Sequence, residues 1–361
     1  MMRRVRPDAD IVVVGAGIAG VATARALGER AGSVILLEQF ELGHERGSSH
    51  GTSRIFRLNY PDERYVRLAQ AADTAWRELE QECGESLIER VGSLDIGELT
   101  AETSRALAAC GVRHETLTSA EVESRWPLRL DPDEVAVHQP DGGYTRADRA
   151  HAAFLASARE AGVEVREHAP VESLELDRRS VRLTLEAGEL TARAVVVAAG
   201  AWASTLLAPL GIELPVVPTR ETVVYVDLPE PVPSVIDYAR LPTTGEGGIT
   251  RVGQAAYALV APGRGLKAGL HHSGPVGDPD GERVPDEGVA AWTSEWARSR
   301  FDGVGETTGV ETCLYTNTAD EEFVLERHGR VVVGSACSGH GFKFAPAVGK
   351  TLAALAREAA T

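Results

Sequence analysis

Three short stretches carry most of the chemical information in this chain, two of them near its end. Thr312-Cys313-Leu314-Tyr315-Thr316 sets one cysteine beside a tyrosine, and Gly339-His340-Gly341-Phe342-Lys343-Phe344 is a glycine-rich turn holding a single lysine ahead of a predicted helix. The third stretch, Gly15-Ala16-Gly17-Ile18-Ala19-Gly20, lies at the opposite terminus. Together they point to a nucleotide cofactor gripped from both ends of the sequence, with a thiol available to bond to it.

Two further segments concentrate polar groups. In Gly47-Ser48-Ser49-His50-Gly51-Thr52-Ser53-Arg54-Ile55-Phe56-Arg57, a glycine-flanked loop holds His50, Arg54 and Arg57. These are either solvated loop charges or a cationic pocket over a cofactor ring or a substrate carboxylate. Gly265-Leu266-Lys267-Ala268-Gly269-Leu270-His271-His272 puts Lys267, Gly269 and His271 on one face of a strand by period-two alternation. That face either lines a pocket or is the wet side of an edge strand. Taken alone, Cys313 is a small apolar residue as readily as a nucleophile. Lys343, between phenylalanines, is either a buried charge with a purpose or a snorkelling surface lysine.

The elements that must position these groups are legible from periodicity. Asp10–Val14 is an apolar, β-branched run ending in the first glycine loop; Ile18–Leu27 continues as an alanine-rich helix; and Ser33–Glu38 is a second buried strand closing on an acid. This is a βαβ unit. Gly15, Gly17 and Gly20 allow the tight turn, the approach of backbone N–H groups to a pyrophosphate and close helix–strand packing, while Glu38 can accept from ribose hydroxyls. The pyrophosphate sits at the helix N-terminus, where free N–H groups and the dipole favour an anion. Helices are predicted over Glu63–Gln81, Thr100–Cys110 and His151–Ala161, and strands over Val91–Gly97, Val163–Val165, Val171–Leu176 and Val181–Leu185, with a polar turn at 141–144. Ala194–Gly200 is a continuous apolar run suited to a central parallel strand. From Pro215 through Thr250 proline and glycine are dense. Short alternating strands (Glu221–Val226, Tyr257–Val260, Lys267–His271) then replace the βα rhythm. Gly329–Val333 returns to a buried strand, and Pro346–Glu358 closes as a helix.

The expected fold is α/β: a discontinuous Rossmann-like nucleotide-binding domain (1–85, 145–214 and 310–361), which the resemblance given below makes an FAD-binding domain, and an α+β substrate domain with a mainly antiparallel sheet (86–144 and 215–309). A chain of 361 residues exceeds the usual single-core size. The net charge of −16, with no long basic run, argues against a polyanion partner. Met1–Arg6 leads only into the short run Ile11–Val14, too brief for a signal-peptide core, and no stretch reaches the roughly 18 apolar residues of a bilayer span. Cys83, Cys110, Cys313 and Cys337 fit no metal spacing, so no metal site is expected and a cytoplasmic protein with reduced thiols is.

From Ile11 to about Leu355 the chain resembles the monomeric sarcosine oxidase and N-methyltryptophan oxidase family, FAD-dependent amine oxidoreductases of the D-amino-acid-oxidase-like superfamily. Three blocks carry the resemblance in order: Gly-Ser-x-His-Gly-x-x-Arg-x-x-Arg from Gly47, Gly-Leu-Lys-x-Gly-x-His from Gly265, and Cys-x-Tyr-Thr-x-Thr-x-Asp-Glu from Cys313, followed by Ser338-Gly-His-Gly-Phe-Lys-Phe. The resemblance implies covalent FAD through Cys313 and a substrate-carboxylate clamp of Arg57 and Lys343. It also places His50 and Arg54 near the flavin ring and Lys267 beside it, aiding oxygen reduction. His271, Tyr315 and, across a one-residue gap, Tyr257 match substrate-pocket residues. Gly339, Gly341 and Lys343 belong to the turn against the cofactor.

The implied chemistry is oxidation of a C–N bond in a secondary amino acid, N-methylated or cyclic (sarcosine-, proline- or pipecolate-like), to an imine with reduction of O2 to hydrogen peroxide. Gln254-Ala255-Ala256-Tyr257-Ala258-Leu259-Val260 departs from the family's consecutive aromatics, and only 5% of the chain is aromatic, so the pocket is expected to be enlarged or reshaped. The chain also stops at Thr361, short of the usual tail. The competing readings are a flavin-dependent dehydrogenase with another acceptor, a specialised biosynthetic imine-forming oxidase, a non-catalytic flavin-binding protein and, from the front loop alone, a nicotinamide-dependent dehydrogenase. A monomer with no nucleic-acid or membrane partner is expected.

Overall fold

The computed structural model describes residues 7–28, 32–228, 232–242 and 254–361. Met1–Arg6 and part of the proline- and glycine-rich stretch before Thr250 therefore lie outside the described residues. The strand Ala9–Val14 pairs in parallel with Val34–Leu37 on one side and with Gly188–Val197 on the other, Val12 standing opposite both Ile35 and Val195. Val331–Ser335 extends the sheet in parallel beyond Val195–Val197, and Glu164–Arg166 extends it beyond Ile35–Leu37. Val171–Leu176 and Val181–Leu185 form an antiparallel meander on the first half of Gly188–Val197. The central strands are buried on both faces, which is why they read as unbroken Val/Ile/Leu/Ala runs rather than alternating ones.

Helices Ile18–Gly28 and Ala345–Ala359 pack together on one face of this sheet, so the two chain ends close one core. Close approach requires glycine here: a Cβ on Gly349 would meet the Ala22 carbonyl oxygen at 2.6 Å. Helix Glu63–Cys83 starts at Asp62, whose carboxylate caps the Arg64 N–H, and stops at Gly84, which takes a left-handed φ of 70°.

The second sheet has eight strands in the order Thr307–Asn317, Val217–Val226, Gly265–Leu270, Ala256–Ala261, Ser234–Asp237, Ser93–Ile96, Val135–Gln139, Glu115–Thr118. Every ladder in it is antiparallel except the parallel pair Ser234–Asp237 with Ser93–Ile96. Helix Glu287–Arg300 packs beneath it, and the fully buried Arg300 is held by Asp237 and Glu134. The boundary expected at residue 310 falls inside the strand Thr307–Asn317, which places Cys313 on this second sheet.

Local differences from the sequence reading have physical reasons. The loop over 47–57 contains a strand, Ser53–Phe56, and the turn at 141–144 opens another, Gly143–Arg146; these two pair with each other, an interaction distant in sequence and invisible to local pattern. The helix expected from His151 begins at Ala147. Helix Glu287–Arg300 was not anticipated, although Asp286 caps it through the Val289 N–H.

Candidate active site

Two cavities meet inside the protein. The larger, about 550 Å³, runs from Glu38 and His44 past the Gly15–Ala19 loop to His50, Arg54, Cys313 and Phe342. The smaller, about 330 Å³, holds Arg57, Tyr60, Tyr257, Lys267, His271 and Lys343. Arg54, Cys313, Tyr315, Gly339 and Phe342 line both. All the site residues singled out from sequence are brought to these two spaces except Gly20, which works from behind the wall.

The larger cavity is built by the βαβ unit. Gly15 has φ +98°, and a Cβ there would lie 2.6 Å from the Ala198 carbonyl oxygen, so only glycine lets the loop pass the end of the neighbouring strand. At Gly20 a Cβ would sit on the Gly15 carbonyl, which fixes how closely the helix follows the strand. Glu38 is buried and accepts from the Ala16 N–H (2.8 Å) and the Phe40 N–H (3.0 Å), with His44 Nε2 3.4 Å away. Burial raises its pKa, but the His44 and backbone donors outweigh that and hold the carboxyl below the ordinary range. The acid thus braces the glycine loop and retains lone pairs facing the cavity. His151, which sequence reasoning missed, donates from Nε2 to the Ala16 carbonyl oxygen at 2.7 Å and ties the loop to a helix.

At the other end Arg54 donates to the carbonyl oxygens of Ser48 and Ser53, each at 2.9 Å, and its Nη2 reaches within 3.8 Å of Cys313 Sγ. The loop thereby converts a long flexible cation into a fixed one beside the only thiol that faces both cavities. His50 is anchored to the Gly47 carbonyl oxygen at 3.0 Å. Burial, with Arg54 and Lys267 nearby, pushes its pKa down to about 4, so it is neutral at physiological pH. Lys267 stands opposite Tyr225 and Leu259 in the sheet and is buried. Burial and Arg54 lower its pKa to about 7.

The smaller cavity also holds Arg57 and Lys343, both buried. Arg57 Nη1 donates to Asp95 Oδ2 at 2.7 Å and to the Asn59 carbonyl oxygen at 2.6 Å, and the guanidinium stands over the Tyr60 ring. Burial opposes its charge, but Asp95 more than offsets that and keeps Arg57 protonated. Asp95 is itself pushed up to about 6 by burial, against the pull of Arg57. Lys343 occupies a single 3₁₀ turn, Phe342–Phe344, whose position is fixed by Trp76 Nε1 donating to the Lys343 carbonyl oxygen at 2.7 Å. Its Nζ donates to Tyr60 Oη (3.0 Å) and the His340 carbonyl oxygen (2.7 Å). Burial, then Arg57, drives its pKa well down.

Lys267 and His271 do face the same cavity, as alternation required, although His271 lies just past the strand end with its N–H on the Ala255 carbonyl oxygen. Burial and His272 keep His271 neutral, and its Nδ1 is 3.5 Å from Tyr315 Oη. Tyr257 and Tyr315 have their phenols pushed up by burial, so both remain protonated. Gly339 shapes the junction: at φ +72°, a Cβ would meet Tyr315 Cε2 at 2.3 Å and His271 Cε1 at 2.4 Å. Asp95, Asn59, Tyr60 and Tyr238 escaped the sequence reading. Asp95 did leave a signal, an acid inside the apolar strand Ser93-Leu94-Asp95-Ile96.

A cavity with a glycine loop and helix N-terminus in its middle, a ribose-directed acid at one end and a thiol beside a guanidinium at the other matches an elongated dinucleotide. Residues 10–355 match the family model for FAD dependent oxidoreductase. The chain belongs to that family. It is 34% identical to human peroxisomal sarcosine oxidase, an alignment covering 95% of this chain and 90% of the relative. It is 32% identical to monomeric sarcosine oxidase of Arthrobacter sp. strain TE1826, covering 98% and 93%. Among solved structures it is similar to NikD, an amino acid oxidase essential for nikkomycin biosynthesis, with a TM-score of 0.85 and 29% identity over 96% of this chain and 93% of that one. The expected Rossmann-like FAD fold and FAD dependence thus hold for this family member, and the nicotinamide alternative falls away. Among the described residues no helix is long and apolar enough to cross a membrane.

Proposed function

We propose that the protein is a flavoprotein oxidase of a secondary amino acid, N-methylated or cyclic, forming an imine. The observation that carries this reading is the junction of the two cavities: the smaller one, with Arg57 and Lys343 buried in its wall, opens onto the Cys313 end of the larger. FAD, when bound, takes up the hydride equivalent from the carbon beside the amine and passes the electrons to O2, giving hydrogen peroxide.

The protein's own residues do the rest. Arg57 and Lys343 form the carboxylate clamp; a guanidinium and an ammonium on one wall fix the orientation of a planar anion. Neutral His271 offers an acceptor to the substrate ammonium, and the basic side chains lining the space, the guanidiniums of Arg54 and Arg57 above all, favour the uncharged amine that the reaction needs. Tyr257 and Tyr315, both protonated, line the same space as neutral phenols. Arg54 stands where it stabilises negative charge on Cys313 sulfur, supporting covalent attachment of the cofactor. Lys267, poised near neutrality, supplies a positive charge beside the site of oxygen reduction.

The 330 Å³ cavity supports a substrate larger than sarcosine. We assign residues 1–85, 145–214 and 310–361 to the cofactor half and 86–144 and 215–309 to the substrate half, with the strand Thr307–Asn317 of the second sheet spanning the boundary at 310, and the protein to a cytoplasmic monomer. The test is anaerobic mixing with sarcosine, larger N-methyl amino acids, L-proline and L-pipecolate while recording flavin absorbance. Bleaching by one of these is expected. A flavin that dithionite reduces but none of them bleaches refutes the reading.

A further inference from the structure

We propose that His271, His272 and Glu321 form a binding site for a divalent transition-metal ion, zinc being the best chemical fit, beside the smaller cavity, whose wall includes His271 and Glu321. Successive strand residues point to opposite faces, so neighbouring histidines ordinarily cannot share a ligand. Here the strand ends at Leu270 and His272 adopts φ +57°, which brings its ring beside that of His271, centroids 3.9 Å apart. Glu321 also has a positive φ, +62°. Left-handed backbone at a non-glycine residue costs on the order of 1 kcal/mol, and here both such residues face one another.

The candidate ligand atoms lie within 4.8 Å of one another. A tetrahedral zinc ion with bonds of about 2.0–2.1 Å needs its ligand atoms ~3.4 Å apart, a closure within reach of small side-chain rotations. A second observation is independent of that spacing. His272 is only 6% exposed, yet among the described residues its Nε2 has no hydrogen-bond partner; Glu321 Oε1 is 3.1 Å away but off the line of a hydrogen bond. A buried, unpartnered ring nitrogen costs free energy that a metal bond would recover.

Two imidazoles and one carboxylate with an open fourth position is the donor set of zinc sites that retain an exchangeable ligand. Of the charged groups on the same cavity wall, Arg54, Arg57, Lys267 and Lys343 oppose a cation, while Asp62 and Asp320, with Glu321 itself, favour it. Spacing could not reveal the cluster, because Glu321 comes from a different part of the chain. His271 shares the cavity wall with Tyr315 and Gly339, so an ion here occupies the space assigned to the substrate amine. That consequence rests on the substrate reading above; metal binding itself does not.

The test is isothermal titration of zinc chloride into chelator-stripped, flavin-loaded protein, with no substrate present. One equivalent should bind the wild-type protein. His272→Asn, which tolerates the left-handed backbone, and Glu321→Gln should each weaken binding at least ~100-fold, more than the 10–100-fold typical of losing an outer-shell partner. With a bleaching substrate in hand, zinc should raise KM and leave kcat unchanged. No stoichiometric binding, or binding unchanged in both variants, overturns the site. Normal zinc binding in a protein that no amine reduces would leave the site standing and refute the substrate reading instead.

Discussion

Replacing Asp95 by asparagine isolates the charge balance of the carboxylate clamp. Asp95 is 1% exposed and 2.7 Å from Arg57, so Asp95→Asn leaves a buried guanidinium without its anion. Removing one partner of a buried pair costs about 3–5 kcal/mol; asparagine keeps an acceptor, which puts the expected loss near ~3 kcal/mol. At an unfolding entropy of about 2.1 cal/mol/K per residue, this lowers Tm by ~4 °C for this chain. Ligand binding should move the other way. Asp95 and a bound carboxylate repel across the guanidinium. At about 6 Å and an effective dielectric of ~20 that repulsion is worth roughly 3 kcal/mol, part of which is lost as Arg57 reorients. Acetate, followed by flavin difference spectra, should therefore bind the variant about tenfold more tightly and narrow the Tm gap. Because Asp95 titrates at about 6, acetate binding to wild type should also tighten as pH falls through 6, and binding to the variant should not. A Tm drop below about 1 °C with equal acetate affinity would refute the argument that Asp95 neutralises the clamp.

Cys313→Ser should release flavin into the supernatant on acid denaturation, whereas the wild-type pellet stays yellow; equal release from both would exclude a thioether. Lys267→Met should slow reoxidation by O2 at least ~100-fold in stopped flow while sparing anaerobic reduction, the loss expected for one preorganised charge. Lys267 has its pKa depressed to about 7, so it is charged below that pH and neutral above it. Wild-type reoxidation should accordingly fall as pH rises through 7, a dependence absent from the methionine variant. Gly339→Ala should abolish turnover, because its Cβ would fall 2.3 Å from Tyr315 Cε2 and 2.4 Å from His271 Cε1; near-wild-type kinetics would show that the junction yields.

The cofactor half was legible because its signals are local. A buried parallel strand is an apolar run, and a dinucleotide loop must place glycines where the backbone passes Ala198 and where helix meets strand. The lysine and histidine of the 265–272 segment were legible as a face through period-two alternation. What sequence hid were pairings between distant segments: Ser53–Phe56 with Gly143–Arg146, the parallel join of Ser93–Ile96 to Ser234–Asp237, and with them the arrival of Asp95 at Arg57. Composition was also misleading in one respect. The chain is poor in aromatics overall, yet Tyr60, Tyr65, Tyr238, Tyr257, Tyr315 and Phe342 converge on the smaller cavity. The aromatic wall expected to be missing beside Tyr257 is supplied in part from other segments.

The buried cations explain why these two cavities must work as one site. Arg57, Lys267 and Lys343 are each at least nine-tenths buried, but among the described residues only Arg57 of these three has a carboxylate in hydrogen-bond contact. Lys343 is satisfied by a phenol and a carbonyl oxygen, and Arg54 by two carbonyl oxygens, all neutral acceptors. An ammonium so placed is disfavoured by several kcal/mol relative to water, which is why Lys343 and Lys267 are both driven toward their neutral forms. The missing negative charge has to come from ligands. A substrate carboxylate supplies it to Lys343 and Arg57, and negative charge developing on the cofactor and on oxygen supplies it to Arg54 and Lys267. Each anion restores the protonated state of the lysine it meets, so carboxylate binding should take up protons near neutral pH and depend little on ionic strength, the charges being shielded from solvent.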